Sequence, residues 1–142
     1  MSNEKENNIK NAFNFKDVSS TDPISTLSQY RYIKLETLKR NGEAVATPVW
    51  FTIDGSKINV VTRSQTGKVK RLRNNPNVRI APCGIGGQLK GQWYSGKAFL
   101  ANQEELDIAL NLRNKKYGFR ARLAGIFSRT KGQLTGINIS LD

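Results

Sequence analysis

Residues 60–76 read Val-Val-Thr-Arg-Ser-Gln-Thr-Gly-Lys-Val-Lys-Arg-Leu-Arg-Asn-Asn-Pro. The apolar run that ends at Thr62 predicts a strand, and the hydroxyl- and glycine-containing residues after it predict a turn. Val69 and Leu72 then recur at helical spacing among basic residues, which predicts a short basic helix. The stretch therefore predicts a strand, a turn and a helix in direct succession.

The start of this predicted helix is a candidate anion site. Backbone N–H groups at a helix start lack intrahelical acceptors, and the helix dipole adds partial positive charge there. The Thr and Ser hydroxyls of the turn, together with Arg63 and Lys68, would complete a cradle for a phosphate group. No Walker-type or dinucleotide motif accompanies the stretch, so a capped, solvated helix is the alternative interpretation.

The length of 142 residues fits one domain with a core of its own. Residues 1–21 mix charges with Asn and Ser and are expected to form a mobile N-terminal tail. Residues 22–142 are expected to form a single cofactor-binding domain. No apolar run approaches membrane-spanning length and no signal-peptide core is present, so a cytoplasmic protein is expected.

The absence of histidine excludes several classes of catalytic site. A Ser-His-Asp triad, a Cys-His pair and a histidine-ligated metal are all impossible in this chain. Cys83 is the only cysteine, so neither an intrachain disulfide nor a cysteine-rich zinc site is expected. The sequence thus predicts no metal site and gives no recognisable acid/base constellation.

The net charge of +12 indicates an anionic partner. No Asp or Glu occurs from Gly55 to Gln103, and a second acid-free basic run extends from Arg113 to Lys131. A phosphorylated cofactor, a polycarboxylate, a nucleic acid and an acidic membrane surface are the candidates. Nucleic acid is disfavoured because no recognition module is present. The alternative is a solvated basic face that only keeps the protein soluble.

Alternating apolar residues and tight-turn residues predict a mainly β protein. Asn41-Gly42 predicts a type I′ hairpin turn, Asp54-Gly55 predicts a second turn, and Pro48 predicts a sheet edge or a bulge. Small residues at Gly96 and Ala98 would let another backbone or a ligand approach. The predicted strands are Tyr30–Leu38, Glu43–Ile53, Ile58–Thr62, Asn77–Cys83, Gln92–Leu100 and Leu134–Leu141.

Few helices accompany these strands. Asp22-Pro23 predicts the start of a short helix, and Asn102 predicts the N-cap of a longer one. Gly118 interrupts that helix, and helical spacing resumes from Phe119 to about Ser128. Short antiparallel strands with few helices predict a small closed or split barrel.

Four segments resemble the pyridoxamine-phosphate-oxidase-like split-barrel superfamily. They are Gly42–Phe51 (Gly-Glu-Ala-Val-Ala-Thr-Pro-Val-Trp-Phe), Thr66–Arg79, Ala81–Cys83 and Gly91–Ala98. Within the superfamily, the chain resembles most the flavin/deazaflavin oxidoreductases, a subgroup that includes coenzyme F-420-dependent enzymes. The resemblance implies a six-stranded antiparallel split β-barrel of the FMN-binding type. It does not extend to vitamin B6 oxidation, because the Arg and Lys of that enzyme are absent near Ala46 and Phe51.

The resemblance also implies a set of site residues. The cofactor phosphate would contact Thr62, Arg63, Thr66, Gly67 and Lys68. The tricyclic ring would lie against Thr47, Pro48 and Val49 near the interface of a homodimer, and Trp93 of the partner subunit would contribute across it. Aromatic residues on barrel strands are usually core residues, so packing is the alternative role for Trp93.

The function implied is an oxidoreductase that uses reduced coenzyme F-420 to transfer hydride to an electron-poor small molecule, such as an activated double bond or a quinone. The oligoglutamate tail of F-420 would suit an acid-free basic surface. An FMN-binding reductase or oxidase is the first alternative, and a non-enzymatic cofactor- or anion-binding protein is the second. No catalytic residue is identified; Tyr94 or solvent would supply a proton if one is needed.

Overall fold

The computed structural model describes residues 22–118 and 133–142 of the chain. In these ranges it contains three helices and seven strands. The helices are α1 (Pro23–Leu27), α2 (Gly67–Asn74) and α3 (Gln103–Tyr117). The strands are β1 (Tyr32–Leu38), β2 (Ala44–Val49), β3 (Thr52–Asp54), β4 (Lys57–Arg63), β5 (Asn77–Cys83), β6 (Tyr94–Leu100) and β7 (Leu134–Leu141).

The seven described strands form one antiparallel sheet in the order β2-β1-β5-β6-β7-β4-β3. Its two edge strands, β2 and β3, follow each other in sequence and are joined only by Trp50 and Phe51. A connection this short spans on the order of 10 Å, so the two edges of the sheet lie close together. The sheet therefore curls into a half-barrel, which confirms the predicted mainly β split-barrel class.

The structure has one strand more than predicted because the predicted strand Glu43–Ile53 is divided. Its first part, β2, pairs with β1, and its last residues, β3, pair with β4. The division occurs where Phe51 is buried and its backbone N–H donates to the Tyr117 hydroxyl instead of to a neighbouring strand. Pro48 lies on the edge strand β2, where its missing N–H costs no ladder hydrogen bond, as predicted.

Tyr117, the last residue of α3, holds the crossover between the two edges. Its hydroxyl accepts the Phe51 N–H at 3.0 Å and lies 2.7 Å from the carbonyl oxygen of Arg31 and 2.9 Å from that of Phe51. Its ring stacks on Trp50 with ring centroids 4.3 Å apart. The Lys116 ammonium also donates to the Phe51 carbonyl at 3.0 Å. The end of α3 thus fixes the path by which the chain passes from β2 to β3.

The hairpin between β1 and β2 is present, but its predicted turn type is wrong. The Gly42 N–H donates to the Lys39 carbonyl at 2.9 Å, which places Arg40 and Asn41 at the centre of the turn. Gly42 follows the turn with φ +89°, a value that glycine adopts without strain. The Asn41 side chain accepts the Glu43 N–H at 2.9 Å, and this local bond favours the longer loop over the two-residue turn.

The hydrophobic core fills the inside of the curled sheet. Alternate residues of each strand face inward, and their large aliphatic side chains are almost completely buried. Full burial of each such side chain stabilises the fold by about 1.5–3 kcal/mol. The largest fully buried apolar side chains are Leu27, Ile33, Leu35, Phe51, Ile58, Val60, Val69, Ile80, Ile137 and Ile139.

Both predicted capped helix starts are confirmed. The Asp22 carboxylate accepts the N–H of Ile24 at 3.2 Å, and Pro23 is the first residue of α1. Asn102 and Glu105 form a reciprocal capping box at the start of α3. Helix α3 then packs on β3, β4 and β7.

Two sequence predictions fall outside the described residues. These are the mobile tail at residues 1–21 and the helical spacing from Phe119 to Ser128. Among the three described helices, none has the length and apolarity that a bilayer-crossing helix requires.

Candidate functional site

The predicted strand, turn and helix around Ser64–Thr66 are present as β4, a turn and α2. Thr62 follows Val60 on the face of β4 that points into the barrel, and Arg63 points to the opposite face. The buried residues Val69 and Leu72 dock α2 on the barrel. The first N–H groups of α2 are thereby held at the end of β4.

Thr66 occupies the N-cap position of α2 without capping it. Its backbone is extended, with φ −80° and ψ 161°, but its side chain accepts no hydrogen bond from the helix. The Thr66 Oγ1 atom is buried and has no hydrogen-bond partner among the described residues. A buried hydroxyl without a partner costs about 1–3 kcal/mol, so this atom is available to a bound ligand.

Lys68 and Arg71 supply two positive charges near the start of α2. Burial is the main cause that lowers the pKa of the half-buried Lys68 ammonium, and the nearby positive charge of Arg71 lowers it further. Neither side chain forms a salt bridge with a carboxylate in the described ranges. Both effects disfavour the charged lysine, and a bound anion would offset them.

Arg71 was not singled out by the sequence, because it is one of four basic residues in α2. The structure distinguishes it by its contacts. Its Nε donates to the hydroxyl of the buried Thr37 on β1 at 2.6 Å. Its Nη1 lies 2.8 Å from the position that a Cβ on Gly67 would occupy, so the guanidinium lies against the first residue of α2.

The predicted ring-binding residues divide between the two faces of β2. Thr47 and Val49 lie opposite Leu35 and Ile33 of β1, whose side chains are in the core, so both face inward. The Thr47 Oγ1 atom is buried and lacks a hydrogen-bond partner within residues 22–118 and 133–142. Pro48 faces outward, where its ring approaches Gly87 of the loop after β5.

Strand β1 connects the ring-binding and phosphate-binding candidates. Thr37 lies opposite Val45 on β2, two residues before Thr47, and it also accepts the hydrogen bond from Arg71 on α2. The two unpartnered hydroxyls, on Thr47 and Thr66, therefore belong to elements that both pack on β1.

Trp93 lies on the outer face of the sheet, away from these residues. The Arg79 guanidinium stacks over its ring, 4.6 Å from the centroid, and donates to both carboxylate oxygens of Glu36 at 2.7 and 2.8 Å. The hydrogen bond from Arg79 lowers the pKa of Glu36. Glu36 and Arg79 border a groove of about 500 Å³, which is lined by Glu36, Leu38, Asn77, Val78, Arg79, Ser95, Gly96 and Asp142. Within one chain, the structure does not bring Trp93 to Thr47 or to α2.

The other candidates are placed by the same geometry. Tyr94, named as a possible proton donor, lies opposite Ile80 and packs against the core. Cys83 is buried, and burial raises the pKa of its thiol, so the thiol form is favoured. No group of three His, Cys, Asp or Glu side chains able to hold a metal ion occurs in the described part of the chain.

Comparison with protein families gives one match over most of the chain. The family described as Pyridoxamine 5'-phosphate oxidase matches residues 25–141. No curated protein sequence matches the chain.

Several solved structures share the fold. Campylobacter jejuni ChuZ is 19% identical with a TM-score of 0.68, and the match covers 91% of this chain and 55% of ChuZ. The conserved hypothetical protein Rv2991 from Mycobacterium tuberculosis is 18% identical with a TM-score of 0.66, covering 85% and 79% of the two chains. HutZ, the heme storage protein from Vibrio cholerae, is 14% identical with a TM-score of 0.65, covering 86% and 89%. At these identities the likeness is one of fold.

Proposed function

The chain belongs to the pyridoxamine 5'-phosphate oxidase family, and from this premise we propose that it is an oxidoreductase that binds a phosphorylated flavin-type cofactor, with coenzyme F-420 as the first candidate. One observation carries the proposal. The start of α2 combines the unpartnered Thr66 hydroxyl with the cationic Lys68 and Arg71, and no described carboxylate pairs with either cation. Such a site fits the phosphate of a cofactor.

The residues present fit two parts of the cofactor, its phosphate and its ring system. Thr62, Arg63, Thr66, Gly67 and Lys68 would hold the phosphate at the end of β4 and the start of α2. On β2, the inward-facing Thr47 hydroxyl would hydrogen-bond a polar atom of the ring system.

The cofactor and the chain would have different roles in the reaction, and the residues available indicate which. When bound, reduced F-420 supplies a hydride for an electron-poor substrate, such as an activated double bond or a quinone. The chain binds and orients the cofactor and excludes water around it. This role suits a chain without histidine, in which no described acid/base constellation accompanies the site.

FMN is the alternative cofactor. One phosphate cradle satisfies FMN, whereas the acid-free segment from Gly55 to Gln103 would also attract the carboxylates of an F-420 tail. The absence of Asp and Glu from this long basic segment is the observation that favours F-420.

Heme is a weaker candidate, although HutZ is described as a heme storage protein. Histidine is a usual axial ligand of heme iron, and this sequence contains no histidine. A histidine-ligated heme therefore has no ligand in this chain. A cofactor- or anion-binding protein without turnover is the second alternative.

The homodimer is part of the same proposal. Within one chain Trp93 lies under the Arg79 guanidinium on the outer face of the sheet, so a contact between Trp93 and the edge strand β2 would have to come from the partner subunit of a homodimer. Light scattering on purified protein tests this arrangement, and a monomer at all concentrations would contradict it.

The function is tested by titrating purified protein with F-420 and with FMN at two salt concentrations. Saturable F-420 binding that weakens with salt, together with weak FMN binding, is the expected result. Reduced cofactor is then mixed with quinones and activated alkenes, and its oxidation is followed by absorbance. Preferential FMN binding would support the alternative cofactor, and binding of neither would contradict both assignments. Binding without oxidation of any acceptor would favour the non-enzymatic alternative.

A further inference from the structure

Arg71 lies in the second turn of α2, but its side chain reaches back to the first. Its Nε donates to Thr37 Oγ1 at 2.6 Å, and Thr37 is fully buried on β1. Its Nη1 atom lies 2.8 Å from the position that a Cβ on Gly67 would occupy. One edge of the guanidinium is therefore fixed to the sheet, and a terminal nitrogen lies beside the helix start.

The remaining donors of Arg71 are available to an anion. A guanidinium carries five N–H groups, and the bond to Thr37 uses one of them. No other hydrogen bond from this side chain is made to the described residues. Its planar array of donors matches the oxygens of a phosphate group.

The charges around Arg71 also favour an anion. Lys68 is close enough for the two positive charges to repel, and Thr66 Oγ1 is buried nearby in sequence without a partner. The hydrogen bond to Thr37 uses one donor and does not require a positive charge. Tying α2 to β1 therefore accounts for the position of the guanidinium, and a bound anion would offset the repulsion between its charge and that of Lys68.

We propose that Arg71, positioned by Thr37, is a phosphate-binding residue of this site, and that Gly67 is required because its missing side chain admits the guanidinium. The inference deepens the proposed function, since it assigns the second cation to the cofactor's phosphate. It also makes a separate claim, that the site binds inorganic phosphate and pyrophosphate in the absence of any flavin.

The test uses four variants of the full chain and calorimetric titration with inorganic phosphate and pyrophosphate. Arg71→Gln removes the charge, and Gly67→Ala keeps every charge but displaces the guanidinium. Thr37→Val removes the acceptor that positions it. Lys70→Gln is the matched control, because Lys70 is an exposed cation of the same helix. We expect at least tenfold weaker binding in the first two variants, weaker binding in Thr37→Val, and less than a twofold change in the control.

Thermal unfolding without ligand shows which variants fold. Gly67→Ala should fold, because the atom displaced is the end of a flexible side chain and the backbone at Gly67 has no positive φ. It is compared with Arg71→Gln, because a loss of affinity larger than that of Arg71→Gln would come from the new methyl group meeting the phosphate itself. If Arg71→Gln does not fold, Arg71→Lys and Gly67→Ala together decide the question. Equal phosphate affinity in Gly67→Ala and Lys70→Gln would overturn the proposal.

The outcomes separate this inference from the proposed function. Phosphate binding that depends on Arg71, with no binding of F-420 or FMN, would overturn the cofactor assignment and leave Arg71 as an anion-binding residue. Cofactor binding that is equal in Arg71→Gln and Lys70→Gln would overturn the role of Arg71 and leave the cofactor assignment. A wild-type chain that binds neither phosphate nor cofactor would overturn both.

Discussion

Individual side chains at the candidate site show how much of it the sequence could reveal. Lys68 was predicted because it follows a turn at a helix start, which is a local feature of the sequence. Arg71 could not be distinguished from Lys70 or Arg73, because its role depends on Thr37, a residue 34 positions earlier on another element. The face on which Trp93 lies likewise follows from its pairing with Arg79 and not from local sequence.

Tyr117 provides a test of the crossover between the sheet edges. In Tyr117→Phe, the backbone N–H of the buried Phe51 loses its hydrogen-bond partner. We expect the free energy of unfolding to fall by about 1–3 kcal/mol, measured by denaturant titration. Tyr30→Phe is the control, because the one hydrogen bond of the Tyr30 hydroxyl to the described residues is a long contact of 3.5 Å with the Lys90 carbonyl. Equal stability of the two variants would show that the Tyr117 hydroxyl does not hold the crossover.

The pH dependence of stability tests the same region. Burial, with a smaller contribution from the charge of Arg31, lowers the pKa of Lys116 to about 8. Between pH 8 and the ordinary lysine value of 10.5, the unfolded chain keeps a proton that the folded chain has released, so this group makes stability rise with pH. In Lys116→Met this contribution should disappear, whereas Lys115→Met, at an exposed neighbour, should retain it. Denaturant titration measures the unfolding free energy of both proteins. If the difference in unfolding free energy between wild type and Lys116→Met is constant from pH 7 to 10, the lowered pKa of Lys116 is refuted.

Tyr117 should act in the opposite direction at higher pH. Burial raises the pKa of Tyr117 to about 12, against an ordinary value of 10.0. Above pH 10 the unfolded chain loses a proton that the folded chain keeps, so stability falls as pH rises through this window. Tyr117→Phe should be less sensitive to pH there, which the same denaturant titrations measure. If wild type and Tyr117→Phe lose the same unfolding free energy as the pH rises above 10, the expectation is contradicted.

At the scale of elements, the positions of the strands were easier to predict than the pairing between them. Period-two alternation and turn residues located the strands well, because these signals are local. The break at Trp50 and Phe51 carries no glycine and was missed. It is imposed by α3, whose terminal Tyr117 lies 66 residues from Phe51. Pro48 did predict an edge correctly, because the lack of an N–H is a property of the residue itself.

Gly96 tests the contact between β6 and β7. A Cβ at this position would lie 2.5 Å from the backbone oxygen of Ser140, so the predicted close approach is that of a neighbouring backbone. Gly96→Ala must shift the strand, and we expect a loss of about 1–3 kcal/mol in unfolding free energy. The control is Gly86→Ala, where the nearest atom is the end of the Gln88 side chain at 3.3 Å. A Gly96→Ala chain as stable as the control would mean that the strands separate without cost.

At the scale of the whole molecule, two statements remain predictions. They are the anionic partner inferred from the charge distribution and the domain boundary near residue 22. The structure describes the chain from residue 22, where Asp22 caps α1. We expect deletion of Met1–Ser20 to leave the melting temperature nearly unchanged, because the core residues identified here all lie beyond it. Differential scanning calorimetry of the two proteins measures this. A large drop would show that the deleted segment packs against the domain.

The position of β7 has a consequence for how the protein folds. Although β7 is the last of the seven strands along the chain, it lies inside the sheet, between β6 and β4. Until it docks, the other strands form two separate pieces, β2-β1-β5-β6 and β4-β3, each with an unpaired edge. Unpaired strand edges promote aggregation, and pairings as distant as Thr62 with Thr135 form slowly. During synthesis the half-barrel therefore stays incomplete until its final strand has left the ribosome, and chaperones that shield strand edges should matter most in that interval.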